Sequence, residues 1–162
     1  MEYYFILKFV HIITATFLFG TGVGTAFFML SAYLSKDIAA LKRTTRHVVL
    51  ADWLFTAPSV ILQPITGILL MWMLHYPFKS LWFAMVLGLY VITGCCWLPV
   101  VYIQYQLRNQ VNQLSEAQSL PPSYHRLMRW WIALGIPAFL SVMILYWLMV
   151  SKTGLTVMLF SQ

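Results

Sequence analysis

Four apolar runs, at roughly residues 4–33, 48–74, 81–106 and 130–150, constrain this chain more than any other feature. Each exceeds the ~20 helical residues that cross a hydrocarbon core. Backbone polar groups in lipid must be satisfied within the protein, so spans are helices or closed barrels, and no barrel-type alternation appears. The expected fold is all-α: an integral membrane four-helix bundle with short loops, one four-span domain over residues 1–162. Composition agrees. The chain is 61% hydrophobic and 9% charged, against about 45–50% apolar and about 25% charged in soluble domains. The first run reads as a retained helix rather than a cleavable signal, because its apolar part is long and Glu2 precedes Lys8.

The sequence carries ten Lys and Arg residues. Lys36, Lys42, Arg43 and Arg46 fall between the first two runs, and Arg108, Arg126 and Arg129 between the last two. Only Lys8, Lys79 and Lys152 fall on the other side. This asymmetry puts the two basic loops in the cytoplasm and both termini outside. The pI near 9.5 is therefore topological and implies no nucleic-acid partner. The expected surroundings are the lipid bilayer, with a membrane-protein partner or a second copy of the chain. Trp53, Trp72, Trp82, Trp130, Trp131 and Trp147 lie near span ends, where tryptophans anchor at the interface. Residues 37–47 suggest a short basic surface helix, and 153–162 a tail against the outer surface. Cys95 and Cys96 are adjacent on a helix, point apart and read as small packing residues.

A helix turns ~100° per residue, so polar faces can be read from spacing. In the first span His11, Thr14, Thr21 and Thr25 share a face. In the second, Asp52, Thr56, Ser59, Gln63 and Thr66 do. In the third, Tyr90, Thr93, Trp97 and Gln104 line up, and the fourth offers Ser141. Lipid rejects such side chains, so the stripes should face one another. Most of the hydroxyls read as packing groups bonded to their own helix. Gly20 and Gly24 match a small-xxx-small close-approach pattern. His47, His75 and His125 sit at span boundaries and read as interfacial.

His11 and Asp52 are ionisable groups inside spans, where such groups mark functional sites. A rise of ~1.5 Å per residue sets His11 about 10 Å below the outer boundary, level with Gln63 and Tyr90. These three form one candidate site, with His11 bonding Gln63 or Tyr90 or ligating a cofactor, and His75 as a candidate second ligand. Asp52 lies about 6 Å from the cytoplasmic boundary, level with Thr21 to Thr25. The expectation is that Thr21, Thr25 or Arg46 holds it.

The segment LKFVHII, residues 7–13, resembles the start of HemJ-type membrane protoporphyrinogen oxidases, which carry a first-helix histidine three residues after a lysine, here His11 and Lys8. That resemblance implies a b-type haem. At the start of the third span the chain departs from the pattern, offering only His75 and Lys79. RHVVLADWLFTAPSVILQPITG (46–67) and LYVITGCCWLPVVYIQYQLRN (89–109), together with LKFVHII, resemble a family of predicted bacterial integral membrane proteins, domain-of-unknown-function family 2269. That resemblance implies a four-helix protein of the bacterial inner membrane and carries no activity.

Two functions compete. Bundle cores commonly host cofactors, and a neutral imidazole binds haem iron; on this reading the protein is haem-binding or redox-linked. Short loops and the lack of a soluble catalytic domain favour instead a non-enzymatic membrane subunit, assembly factor or small transporter component. Whether the chain is an enzyme stays open. No Ser-His-Asp set, zinc motif or P-loop is present, and GTGVG lacks the strand and spacing of a dinucleotide loop.

Overall fold

The computed structural model describes residues 2–151; the expected tail contact of 153–162 lies outside them. Among the described residues the chain is helical, with no strand. The helices are α1 (Glu2–Ser35), α2 (Ile38–Ala51), a π-helical turn (Asp52–Thr56), α3 (Ala57–Met73), α4 (Leu81–Asn112) and α5 (Pro122–Val150). Four rods of 34, 36, 32 and 29 residues are long and apolar enough to span a membrane, with Ile38–Met73 acting as one rod.

Local chemistry sets the corners. Lys36 takes a left-handed φ of 57° and ends α1. Asp37 caps α2, accepting from the N–H groups of Ala39 and Ala40 at 2.8 and 3.2 Å. His75, at φ 50°, closes α3. Ser80 caps α4 through the Phe83 N–H. Pro122 occupies the first turn of α5, where a missing N–H is harmless. The basic segment 37–47 is no separate surface helix: α2 runs through it into the membrane.

The π turn has a covalent cause. Pro58 has no N–H and its ring crowds the preceding turn, and widening that turn relieves the clash. Ala57 then donates to the Asp52 carbonyl, five residues back.

α1 packs on α3, α4 packs along α5, and α2 lies against both α1 and α4. Phe19 joins α1 to α5 through ring contacts with Phe139 and Tyr146. The Tyr90 hydroxyl joins α4 to α3.

The interior is layered. At the end bearing the basic loops, an apolar cluster includes Met29, Leu41, Val48, Leu107, Tyr124 and Met128. The spanning rods are about 44–54 Å long at ~1.5 Å per residue, well beyond a core about 30 Å thick. Arg43, Arg46 and Arg126 are exposed on the helices that build this cluster, and rods longer than the hydrocarbon core leave part of their length to water and headgroups, where the hydrophobic effect drives apolar burial. A smaller cluster, Met71, Trp82 and Leu148, closes the opposite end. Between them the buried side chains are mostly polar: Thr14, Thr56, Ser59, Thr66 and Ser141, with Asp52 and Gln104 buried at the edge of the larger cluster.

Two sequence expectations are corrected. A Cβ built on Gly20, Gly22 or Gly24 meets nothing within 4 Å, so these glycines do not mediate close approach within the chain. Trp82 and Trp131 are buried rather than interfacial; the Trp82 indole donates to the Leu148 carbonyl at 2.9 Å. Cys95 and Cys96 are free thiols.

Candidate polar file through the bundle

The second rod supplies the spine of the site. Asp52, Thr56, Ser59, Gln63 and Thr66 recur at intervals of three and four residues, so they stay on one face. Asp52 and Thr66 are separated by about 21 Å of axial rise, most of a hydrocarbon core. Asp52, Thr56, Ser59 and Thr66 are buried, and Gln63 is half-buried.

At the end away from the basic loops, His11 of α1 meets this spine. Its Nδ1 lies 2.7 Å from Thr66 Oγ1. The Thr66 hydroxyl has one proton and directs it to the Leu62 carbonyl at 2.7 Å. The imidazole must then donate from Nδ1, which leaves the lone pair on Nε2 in the neutral ring. His11 Cε1 would stand 3.4 Å from a Cβ at position 67, an ordinary contact, so the ring packs beside Gly67 on α3. The Gln63 amide crosses the same interface, donating to the His11 carbonyl at 2.9 Å and to Thr14 Oγ1 at 3.1 Å. His11 and Gln63 thus meet, but through the histidine backbone, while the ring bonds Thr66 instead of Gln63 or Tyr90.

Tyr90 comes close for a different reason. Its hydroxyl donates to the Val60 carbonyl. Val60 lies four residues before Pro64, so that carbonyl has no helical N–H to accept from. The phenol supplies the missing donor from a neighbouring helix, as lipid requires.

At the other end of the file, Thr56 donates to Asp52 Oδ1 at 2.9 Å. Thr14, Thr16, Thr25, Thr45, Thr66 and Thr93 instead return their hydroxyls to their own helix. Asp52 Oδ2 is buried and unpartnered. The Gln104 side chain of α4 borders the carboxylate without a hydrogen bond of ordinary geometry, and its Oε1 is likewise buried and unpartnered. The expected holders of Asp52 are elsewhere. Arg46 is exposed, Thr25 bonds the Thr21 carbonyl, and Thr21 and Thr25 line a groove of about 480 Å³ with Phe28, Thr44, His47 and Phe55. Gln104 is the site residue that spacing does not single out, although its place on the Tyr90 stripe marks the face it uses.

For a haem held inside the bundle, the structure offers one nitrogen of His11. His75 is exposed in the turn after α3, about 13 Å along the helix axis from Thr66, so the two histidines do not converge. Among the described residues no group of three His, Cys, Asp or Glu could hold a metal.

A family model described as a predicted integral membrane protein family, DUF2269, matches residues 5–153. Comparison with curated proteins and with solved structures returned no match.

Proposed function

The chain belongs to the DUF2269 family of predicted integral membrane proteins, and on that premise we propose that it is a transporter component. It passes a small polar species along the internal file of the bundle. The supporting observation is the polar file itself: Asp52, Thr56, Ser59, Thr66 and Gln104 are buried, running from the edge of the apolar cluster at the basic end toward the smaller cluster at the other. Helix pairing needs a few such groups, worth about 0.6–2 kcal/mol each. A single-faced file about 21 Å long, with an ionisable group at each end, is more than pairing requires. The membrane is a bacterial inner membrane. The seven-to-three Lys and Arg asymmetry sets the basic loops in the cytoplasm and the termini in the periplasm.

Substituted-cysteine accessibility tests this reading. In a Cys95→Ser, Cys96→Ser background, Ser59→Cys and Gln63→Cys should react with a small membrane-impermeant methanethiosulfonate. Lipid-facing Ile61→Cys should not. Silence at both file positions from both sides would leave the file as an interhelical clamp and the protein as a subunit or assembly factor. Fusion reporters in the 113–121 loop and at either terminus test the orientation.

A second reading keeps haem b on His11. It is favoured by the Nδ1–H to Thr66 bond, which would fix the ring and leave a neutral Nε2 lone pair free to hold haem iron. A b-type spectrum lost in His11→Ala would support it, and a colourless protein purified from haem-supplied cells would end it.

A further inference from the structure

Beyond carrying a polar file, the bundle holds a group whose bonding is incomplete. Asp52 is 7% exposed and Gln104 is 4% exposed. Each has a buried oxygen without a donor, Oδ2 on the carboxylate and Oε1 on the amide. An acceptor left bare in a bundle interior is unfavourable, and the penalty rises in a low-dielectric setting. No cationic side chain among the described residues relieves it. Thr56 is the neutral donor on Oδ1, and Gln104 is the other side chain that interacts with the carboxylate. On α2, Arg46 and His47 are exposed. On α4, Arg108 lies over the Tyr105 ring, 4.8 Å from its centroid. From α1, Thr25 bonds its own helix.

We propose that Asp52, Gln104 and Thr56 form a binding site for one monovalent cation, H⁺ or Na⁺. The inference rests on the transporter reading and names the charge that loads the file. The oxygens on offer are the unpartnered Oδ2 of Asp52 and, once the amide is turned, Oε1 of Gln104, with Thr56 holding the other carboxylate oxygen. Hard cations are held this way, and an acidic proton bridges two such oxygens equally well. Gln104 suits an exchangeable charge. Its amide ends interchange by rotation about the last side-chain bond and are not told apart by position alone. N–H turned to the carboxylate satisfies the empty state, and oxygen turned to it satisfies the loaded one. The π turn places Asp52 where its own helix is already widened, a feature frequent at functional sites.

Full-length protein in nanodiscs gives the test, with Trp53 as reporter, since its indole donates to Tyr105, the residue after Gln104. In the sodium arm, NaCl replaces choline chloride at constant ionic strength and pH. A saturable rise in unfolding midpoint and a Trp53 fluorescence shift are expected, lost in Asp52→Asn and weakened in Gln104→Leu. In the proton arm, infrared spectra should show a protonated-carboxyl band indifferent to Na⁺, shifted in frequency by Gln104→Leu and absent in Asp52→Asn. Either arm alone identifies the ion. If neither the Na⁺ response nor the Asp52 band appears in folded wild-type protein, the site does not exist. Accessible cysteines at 59 and 63 together with that result would sink this inference while sparing the transporter reading.

Discussion

Tyr90→Phe isolates one hydrogen bond, because the ring is kept and only the hydroxyl is lost. In the wild type that hydroxyl donates to the Val60 carbonyl, which Pro64 deprives of its helical donor. Removing it strands a carbonyl inside the bundle. A buried group left unpartnered costs about 1–3 kcal/mol, and interhelical bonds in membranes measure about 0.6–2 kcal/mol. A loss of about 1–2 kcal/mol is expected. Pro64→Ala restores an N–H four residues after Val60, so the carbonyl can accept from its own helix. In that background Tyr90→Phe should cost less than about 0.5 kcal/mol. The four proteins make a double-mutant cycle with a coupling of about 0.5–2 kcal/mol. Reversible unfolding by sodium dodecyl sulfate in bicelles, followed by tryptophan fluorescence, reads it. Equal costs in the two backgrounds would refute the reasoning, since Tyr90 would then act through something other than the orphaned carbonyl.

Three further outcomes are expected in the same assay. His11→Ala and Thr66→Val should each lose about 1 kcal/mol, and the double variant should lose little more than either alone; additive losses would deny the Nδ1 bond. Asp52→Asn should stay within about 0.5 kcal/mol of wild type or exceed it in sodium-free buffer, whereas Asp52→Leu strands Thr56 and Gln104 and should lose about 1–2 kcal/mol. Equal losses for Asn and Leu would point to a charge partner such as Arg46. Trp82→Phe should lose about 1 kcal/mol by freeing the Leu148 carbonyl, and an unchanged midpoint would mean that another donor replaces the indole.

Much of the architecture is legible in the sequence because lipid makes pattern strict. Four apolar runs imply four spanning rods, and three- and four-residue spacing by itself places Asp52, Thr56, Ser59, Gln63 and Thr66 on one face. Pairings are less legible. Face and depth bring His11 near Gln63, but the choice between that amide and Thr66 depends on a rotamer and on which helix turn sits opposite. Depth alone groups Tyr90 with His11, whereas its task follows from Pro64, twenty-six positions away. The glycines mislead because spacing shows that one side of a helix is narrow but not whether anything packs there. Trp82 and Trp131 depart from the interfacial expectation because at a span end a tryptophan can face lipid or a neighbouring helix equally well. Gln104 lies on a recognisable stripe, yet nothing in the spacing alone sets it beside Asp52.

The layered interior has a thermal consequence. Heat capacity rises on unfolding by about 0.45 cal/K/mol for each Å² of apolar surface exposed to water. Helices that separate within a bilayer exchange protein contacts for lipid and wet little apolar surface, so the polar middle contributes almost nothing to that increment. The cluster around Leu41, Leu107 and Tyr124 lies at the end bearing the basic loops; on the reading that this end lies outside the hydrocarbon core, it opens into water and contributes nearly all of the increment. Its stability therefore follows a curved dome with temperature while that of the membrane-embedded half runs nearly flat. The basic end should loosen first on strong cooling as well as on heating, a melting order that calorimetry in bicelles can resolve from the loss of the spanning rods.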